Sequence, residues 1–333
     1  MMHRRTALLA GGAALALPGS LLAQEAGGWD EVIAAARGLD QFRAIVVQQG
    51  GEEVLAEAIS GPGPDVPVNV KSVSKSVVAA LLGAVIGSGE VGSVDVTLGE
   101  VMPALIPAGA APEVPGITLE DLVTLRAGLE RTSGANYGGW VSSSNWVADA
   151  LGREMVAEPG GRMLYSTGSF HILGAALTEA TGQSLLALAR AHLGGPLGIE
   201  IPAWTRDPQG YYLGGNEMAL SPRAMVRIGE TYRQGGLYDG ARILPRDYID
   251  ASLRPRGRSP FSGLSYGYGW FLDQIGGRDF ALARGYGGQV IFVMPSLELT
   301  VAITSDPTRP ARSGGYFGDL MGLIERRIVP AAA

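Results

Sequence analysis

Residues Ser72 to Ile86 spell a helix that is apolar almost all round. Val77, Val78, Leu81, Leu82 and Val85 are distributed about its circumference, and Gly87 ends it. Such a helix cannot rest on a surface. It has to be enclosed on every side, so the fold must build a large core around it. The chain has the material: 333 residues, 46% of them apolar and 17% charged, enough for one large domain or one domain with a sizeable insertion.

The pattern on either side says what encloses it. Residues 42–48 and 52–58 read as two strands joined by a hairpin at Gly50-Gly51. The C-terminal third returns to strands at 266–272, 279–284, 289–294 and 299–305, followed by a helix over 316–328. Between them the chain is mostly helical. Thr118 with Asp121 forms a capping box for a helix to Arg126. Further helices are expected at 145–152, 168–181, 184–193 and 222–234, the last opened by Ser221-Pro222 and closed by Gly235-Gly236. The Gly- and Ser-rich stretch 132–144 reads as a long loop of the kind that lines sites. Strands at both ends with helices between predict one sheet assembled from both termini, carrying a helical insertion over about residues 100–250.

The first 23 residues form a separate unit. Arg4 and Arg5 precede a small, apolar run from Thr6 to Leu22, and Leu21-Leu22-Ala23 before Gln24 offers a small-residue cleavage site. This is the three-part pattern of a secretory signal, so the mature chain is expected to span 24–333 and to be periplasmic or extracellular. The paired arginines match the twin-arginine route, although Ala7 stands where that route usually has an aromatic or large apolar residue. At about 17 residues the run is short for a stable span, and no other segment is long enough for one. The net charge is −6 with no basic stripe, which argues against a nucleic-acid partner. Cysteine is absent, which removes disulfides and thiolate chemistry.

Positive charge is carried by 24 arginines and two lysines, and the two lysines are Lys71 and Lys75. Arginine does not give up its proton in a protein, whereas a desolvated lysine can act as a base. Ser72-Val73-Ser74-Lys75 is a Ser-x-x-Lys motif at the start of the buried helix. A spacing of three puts both side chains on one helical face, within about 5–6 Å at Cβ. Burial would lower the lysine from its ordinary value of about 10.4. The helix N-terminus favours negative charge developing near Ser72.

Two further segments extend the motif: Tyr165-Ser166-Thr167-Gly168 before a helix, and Arg284-Gly285-Tyr286-Gly287-Gly288-Gln289 between two strands. In this order the sequence resembles the penicillin-recognising serine hydrolases, specifically the class C β-lactamase-like group with its esterases, D-aminopeptidases and 6-aminohexanoate-dimer hydrolases. The resemblance runs over about residues 42–305. Tyr266-Gly-Tyr-Gly-Trp270, and Gly285 to Gln289 followed by an apolar strand ending at Pro295, look like the nylon-oligomer hydrolase branch. The resemblance implies a penicillin-binding-protein-like α/β (α+β) fold. Its antiparallel sheet is flanked by the 72–86 and C-terminal helices, and the site lies in a cleft against a mostly helical second lobe. It implies that Ser72 attacks a carbonyl to form an acyl-enzyme, that Lys75 and Tyr165 share proton transfer with Lys75 lowering the tyrosine pKa, and that the N–H groups of Ser72 and Gln289 form the oxyanion hole. No cofactor is implied.

Two positions depart from the family's pattern. Thr167 stands where β-lactamases have Asn, and Tyr286 stands where they have Lys, with Arg284 nearby as a replacement cation. The expectation is therefore a small neutral ester or amide as substrate rather than a β-lactam. Tyr286, Gly287, Gly288, Tyr137, Asn145, Thr167 and Trp270, with Trp146, are candidates to line the pocket. The alternative is a penicillin-binding or sensor-type protein that is acylated or occupied without efficient turnover. A rival motif, Gly263-Leu-Ser265-Tyr-Gly267, matches a nucleophile elbow, but no histidine follows Ser265 and the segment precedes strands rather than a helix. His3, His171 and His192 are too scattered for a metal site.

Overall fold

The structure is a computed structural model, which describes residues 27–333. The expected signal segment, 1–23, lies outside the described residues. The strands are β1 (Phe42–Gln49), β2 (Glu52–Ala58), β3 (Val68–Asn69), β4 (Ala219–Leu220), β5 (Leu237–Tyr238), β6 (Ala241–Arg242), β7 (Gly257–Arg258), β8 (Ser265–Tyr266), β9 (Phe271–Ile275), β10 (Arg278–Gly285), β11 (Gln289–Met294) and β12 (Leu299–Ser305). Eight of them form one antiparallel sheet in the order β2-β1-β12-β11-β10-β9-β8-β7, so the last strand pairs with the first. That is the sheet built from both termini. β3 with β4, and β5 with β6, make two small ribbons.

Every residue of β11 and β12 is buried, so both faces of the sheet centre are covered. The Pro222–Arg233 helix packs on β1, β11 and β12. Its Gly229 permits the close approach, since a Cβ there would lie 2.6 Å from Thr300 Cγ2 and 2.8 Å from Ile291 Cγ2. The Tyr316–Leu323 helix packs with the Gly27–Arg37 helix. The latter was not among the expected elements, although Trp29, Val32, Ile33 and Ala36 repeat at helical spacing.

The Ser74–Gly87 helix is enclosed as its composition requires, with every residue from Ser74 to Val85 buried. Two differences from the sequence reading concern this region. The α-helix starts at Ser74, and Ser72 sits in a preceding 3₁₀ turn, Lys71–Val73, packed against β10 and β11. The expected strand 266–272 is two short strands, β8 and β9, separated at residues 267–270. There the backbone is pressed onto the buried helix. Ser76 Oγ donates to Gly269 O at 2.6 Å, Gly269 has φ +77°, and a Cβ on it would lie 2.7 Å from Ala79 Cβ. The Thr118–Asp121 capping box forms, but its helix ends at Val123. The loop 132–144 contains a short helix, Tyr137–Val141.

Gly229→Ala tests the packing of helix on sheet. Overfilling this contact should destabilise the protein by about 1–3 kcal/mol, read as a lower urea midpoint at unchanged slope.

Candidate active site

Ser72 and Tyr165 line a cleft of about 270 Å³ with Phe261, Phe271, Arg284 and Tyr286 among others, and Lys75 is buried behind Ser72. The 3₁₀ turn delivers Ser72 to the end of β10. One turn on, the buried helix places Lys75 Nζ 3.1 Å from Ser72 Oγ. Lys75 is 1% exposed, and its ammonium donates also to Gly215 O at 2.7 Å and Thr167 Oγ1 at 3.3 Å. Among the described residues no carboxylate lies within ion-pair distance of it. Burial without a counter-charge lowers its pKa to about 7.

Gly215 reaches the lysine because Gly214 and Gly215 cross directly over the start of the Thr167–Thr181 helix. A Cβ on Gly214 would lie 2.1 Å from Phe170 O. On the far side, Thr167 Oγ1 is held by Ser133 Oγ at 3.0 Å, and Ser133 Oγ accepts from Thr167 N at 2.8 Å. Thr167 therefore contacts the lysine rather than the open cleft.

Tyr165 precedes this helix, with its ring stacked on Phe271 at 6.2 Å and its centroid 5.0 Å from Lys75 Nζ. Burial pushes its phenol above the ordinary value. The Ser72 hydroxyl and the Arg284 charge oppose that shift without reversing it. This corrects the expectation that Lys75 lowers the tyrosine. With its pKa near 7 the lysine can give up its proton close to neutral pH, whereas the tyrosine keeps its own.

Gln289, whose backbone N–H was expected in the oxyanion hole, is not among the residues that line the cleft. It is fully buried and pairs with Gly285, and its amide is clasped to Ser305, Nε2 donating to the carbonyl at 2.8 Å and Oε1 accepting from the N–H at 3.1 Å. The residue that leaves β10 into the cleft is Tyr286. Among the described residues neither the Ser72 N–H nor the Tyr286 N–H donates to a protein acceptor.

Other expected lining residues lie elsewhere. Trp270 is fully buried against Tyr232, with ring centroids 4.6 Å apart. Asn145 caps the Trp146–Leu151 helix through Ala148 N at 2.9 Å. Trp146 packs with Trp140 and His171. Tyr137 accepts from Asn216 Nδ2 at 3.1 Å and is not among the cleft residues. Gly287 (φ +81°) and Gly288 (φ +97°) make the β10–β11 turn, where Cβ atoms would meet Asp306 O and the Tyr316 ring. Ser265, of the rival motif, is a β8 residue paired with Arg258 and Leu272.

Phe261, missed in the sequence, stands at the cleft mouth with Tyr286; they are 63% and 51% exposed. Arg284 lines the wall, stacked on Phe317, and donates to Ser313 Oγ and Ala311 O, both at 3.1 Å. Among the described residues it has no carboxylate partner.

A family model described as Beta-lactamase matches residues 36–317. The chain belongs to the β-lactamase family of serine hydrolases. No curated relative matches it by sequence. Solved structures share the fold at low identity. A candidate 6-aminohexanoate-dimer hydrolase from Bacillus anthracis superposes with TM-score 0.73 at 17% identity, covering 88% of this chain and 79% of that one. EstCE1, a hydrolase with promiscuous acyltransferase activity, gives TM-score 0.73 at 19% identity, covering 89% and 99%. A D-stereospecific amidohydrolase from Streptomyces gives 0.69 at 17%, covering 89% and 98%. Among the described residues no single helix is long and apolar enough to cross a membrane.

The Lys75 environment fixes two pH dependences. If its neutral form is the base, kcat/KM should rise with pH, with a half-point near pH 7. Stability moves in the same direction. The folded value lies below the unfolded one of about 10.4, so the cost of burying a charged lysine is complete below about pH 7 and is lifted as pH rises towards 10.4. A pH–rate profile beside urea melts at several pH values checks both.

Proposed function

We propose that this serine hydrolase is an exported esterase or amidase working through a Ser72 acyl-enzyme, with Lys75 as the base. One observation carries the reading. Lys75 is buried, without a counter-ion among the described residues, at hydrogen-bond distance from Ser72 Oγ, with its pKa lowered to about 7. Ser72 Oγ attacks the carbonyl and its proton passes to Lys75. The oxyanion develops between the Ser72 and Tyr286 N–H groups, each such donor being worth about 2.7–4 kcal/mol in other acyl-transfer sites. Collapse expels the alcohol or amine, which is protonated by the lysinium through the Tyr165 hydroxyl. Water then attacks the ester at Ser72 as Lys75 takes its proton; the acyl–Oγ bond breaks, the lysinium returns that proton to Ser72 Oγ, and the acid leaves.

The tyrosine acts in this scheme as a protonated relay, not as a phenolate, because burial holds its proton on. The aromatic mouth of Phe261 and Tyr286 suits a substrate with an apolar group. Arg284, bonded to neutral partners, can receive a carbonyl or other oxygen of that substrate. Thr167 and Tyr286, in place of the β-lactamases' Asn and Lys, support ester or amide cleavage over β-lactam turnover. Export rests on the signal-like pattern of residues 1–23.

Hydrolysis of a short-chain nitrophenyl ester by wild type and Ser72→Ala tests the nucleophile. Turnover is expected in the first and not in the second; equal rates would overturn the assignment. Lys75→Arg keeps the charge but loses the removable proton, so its activity should fall to near the Ser72→Ala level. Tyr165→Phe should lower kcat by about 10²–10⁴, and an unchanged rate would reduce Tyr165 to a packing residue.

A further inference from the structure

The second lysine, Lys71, takes no part in the proton transfers above, yet its setting is unusual. It immediately precedes Ser72 and has φ +51°, the left-handed region. There an L-side chain costs roughly 1–2 kcal/mol that glycine avoids. Its Nζ is 2.9 Å from Glu217 Oε1. Glu217 is itself left-handed, with φ +67°. Asn69 completes the unit: its Oδ1 accepts from Lys71 N at 2.9 Å, and its Nδ2 donates to Glu217 Oε2 at 2.5 Å.

Two non-glycine residues in an unfavourable backbone region, 146 positions apart in the chain, thus hold each other through a part-buried ion pair. Neighbouring bonds bind the same two segments. Ser74 Oγ donates to Lys71 O at 2.6 Å and accepts from Met218 N at 3.2 Å, and Val70 N donates to Met218 O at 2.9 Å. The segment that carries Glu217 also carries Gly215, whose carbonyl receives Lys75 Nζ.

We propose that the Lys71–Glu217 ion pair is a positioning clamp for the nucleophile. It holds the left-handed turn at residue 71, and this turn aims both the Ser72 N–H and Oγ into the cleft. By anchoring residues 215–217 it also keeps the Gly215 carbonyl on Lys75. A free residue 71 would relax towards right-handed or extended backbone and re-aim Ser72. A glycine tolerates the turn but does not enforce it. The inference rests on the Ser72 acyl-enzyme reading and adds two residues that act through Ser72 without touching substrate.

The test uses the full chain with a nitrophenyl ester, measuring kcat, KM and thermal midpoint for wild type, Ser72→Ala, Lys71→Gly, Lys71→Arg, Glu217→Gln and the Lys71→Gly/Glu217→Gln double variant. Lys71→Gly removes the ion pair without backbone strain, and Glu217→Gln removes the charge at constant shape. Each should lower kcat by about 10- to 100-fold, the scale of a small misplacement of reacting atoms, with KM changed by less than about threefold. The double variant should lose no more than the worse single, because both remove one interaction. Lys71→Arg, which keeps the pair, should recover most of kcat. Wild-type kcat in Lys71→Gly and Glu217→Gln beside an inactive Ser72→Ala would overturn the clamp and leave the acyl-enzyme reading standing. Losses that multiply in the double variant, or that fall on KM, would overturn it too. Full activity in Ser72→Ala would remove the acyl-enzyme reading and the clamp with it. Glu217→Gln, the least disruptive change, decides the matter if Lys71→Gly does not fold.

Discussion

The site depends on one unfavourable placement: an amine in the core that, among the described residues, has no carboxylate to meet it. Lys75 donates to a serine, a threonine and a backbone carbonyl, all of them neutral. Neutral acceptors satisfy its hydrogens without stabilising its charge as an anion would, so desolvation governs the protonation state. A carboxylate at hydrogen-bond distance would favour the ammonium and remove the base. The apolar helix around the lysine is therefore part of the chemistry as well as of the core.

Much of the surrounding architecture keeps that arrangement dry and aligned. The Gly267–Trp270 crossing closes the helix from the sheet side, with Ser76 bound to Gly269 O. Gly214 and Gly215 let a turn pass over the Thr167–Thr181 helix closely enough to present a carbonyl. Ser133 fixes Thr167 from the Gly- and Ser-rich stretch. Each contact joins segments distant in the chain, and each relies on a small residue where backbone has to approach backbone or helix.

Tyr165 shows how the same burial acts oppositely on two acids. Removing water favours the neutral form of each group, so a lysine becomes a base near neutral pH while a phenol keeps its proton. The expected lowering of the tyrosine by the lysine's charge assumed a fully charged lysine, and burial brings the lysine's pKa down to about 7, so that only part of that charge remains near neutral pH. The assignment of base and relay follows from the shared environment of the pair rather than from the types of residue in it.

The sequence by itself determined the elements whose cause is local. The buried helix, the terminal strands, the Thr118 capping box and the Ser221-Pro222 helix start all follow from periodicity and end chemistry. The ordered motifs also marked Ser72, Lys75 and Tyr165, because a serine, a rare lysine and a tyrosine at these spacings are visible along the chain. Only the tertiary structure decided what depends on which segments meet. It turned Gln289 inward to Ser305 and left Tyr286 at the cleft, buried Trp270 and gave Asn145 to a helix cap. It also brought Glu217 to Lys71 across 146 positions. A side chain's face at a strand end and its partner across the fold are set by packing between distant segments, which no local pattern records.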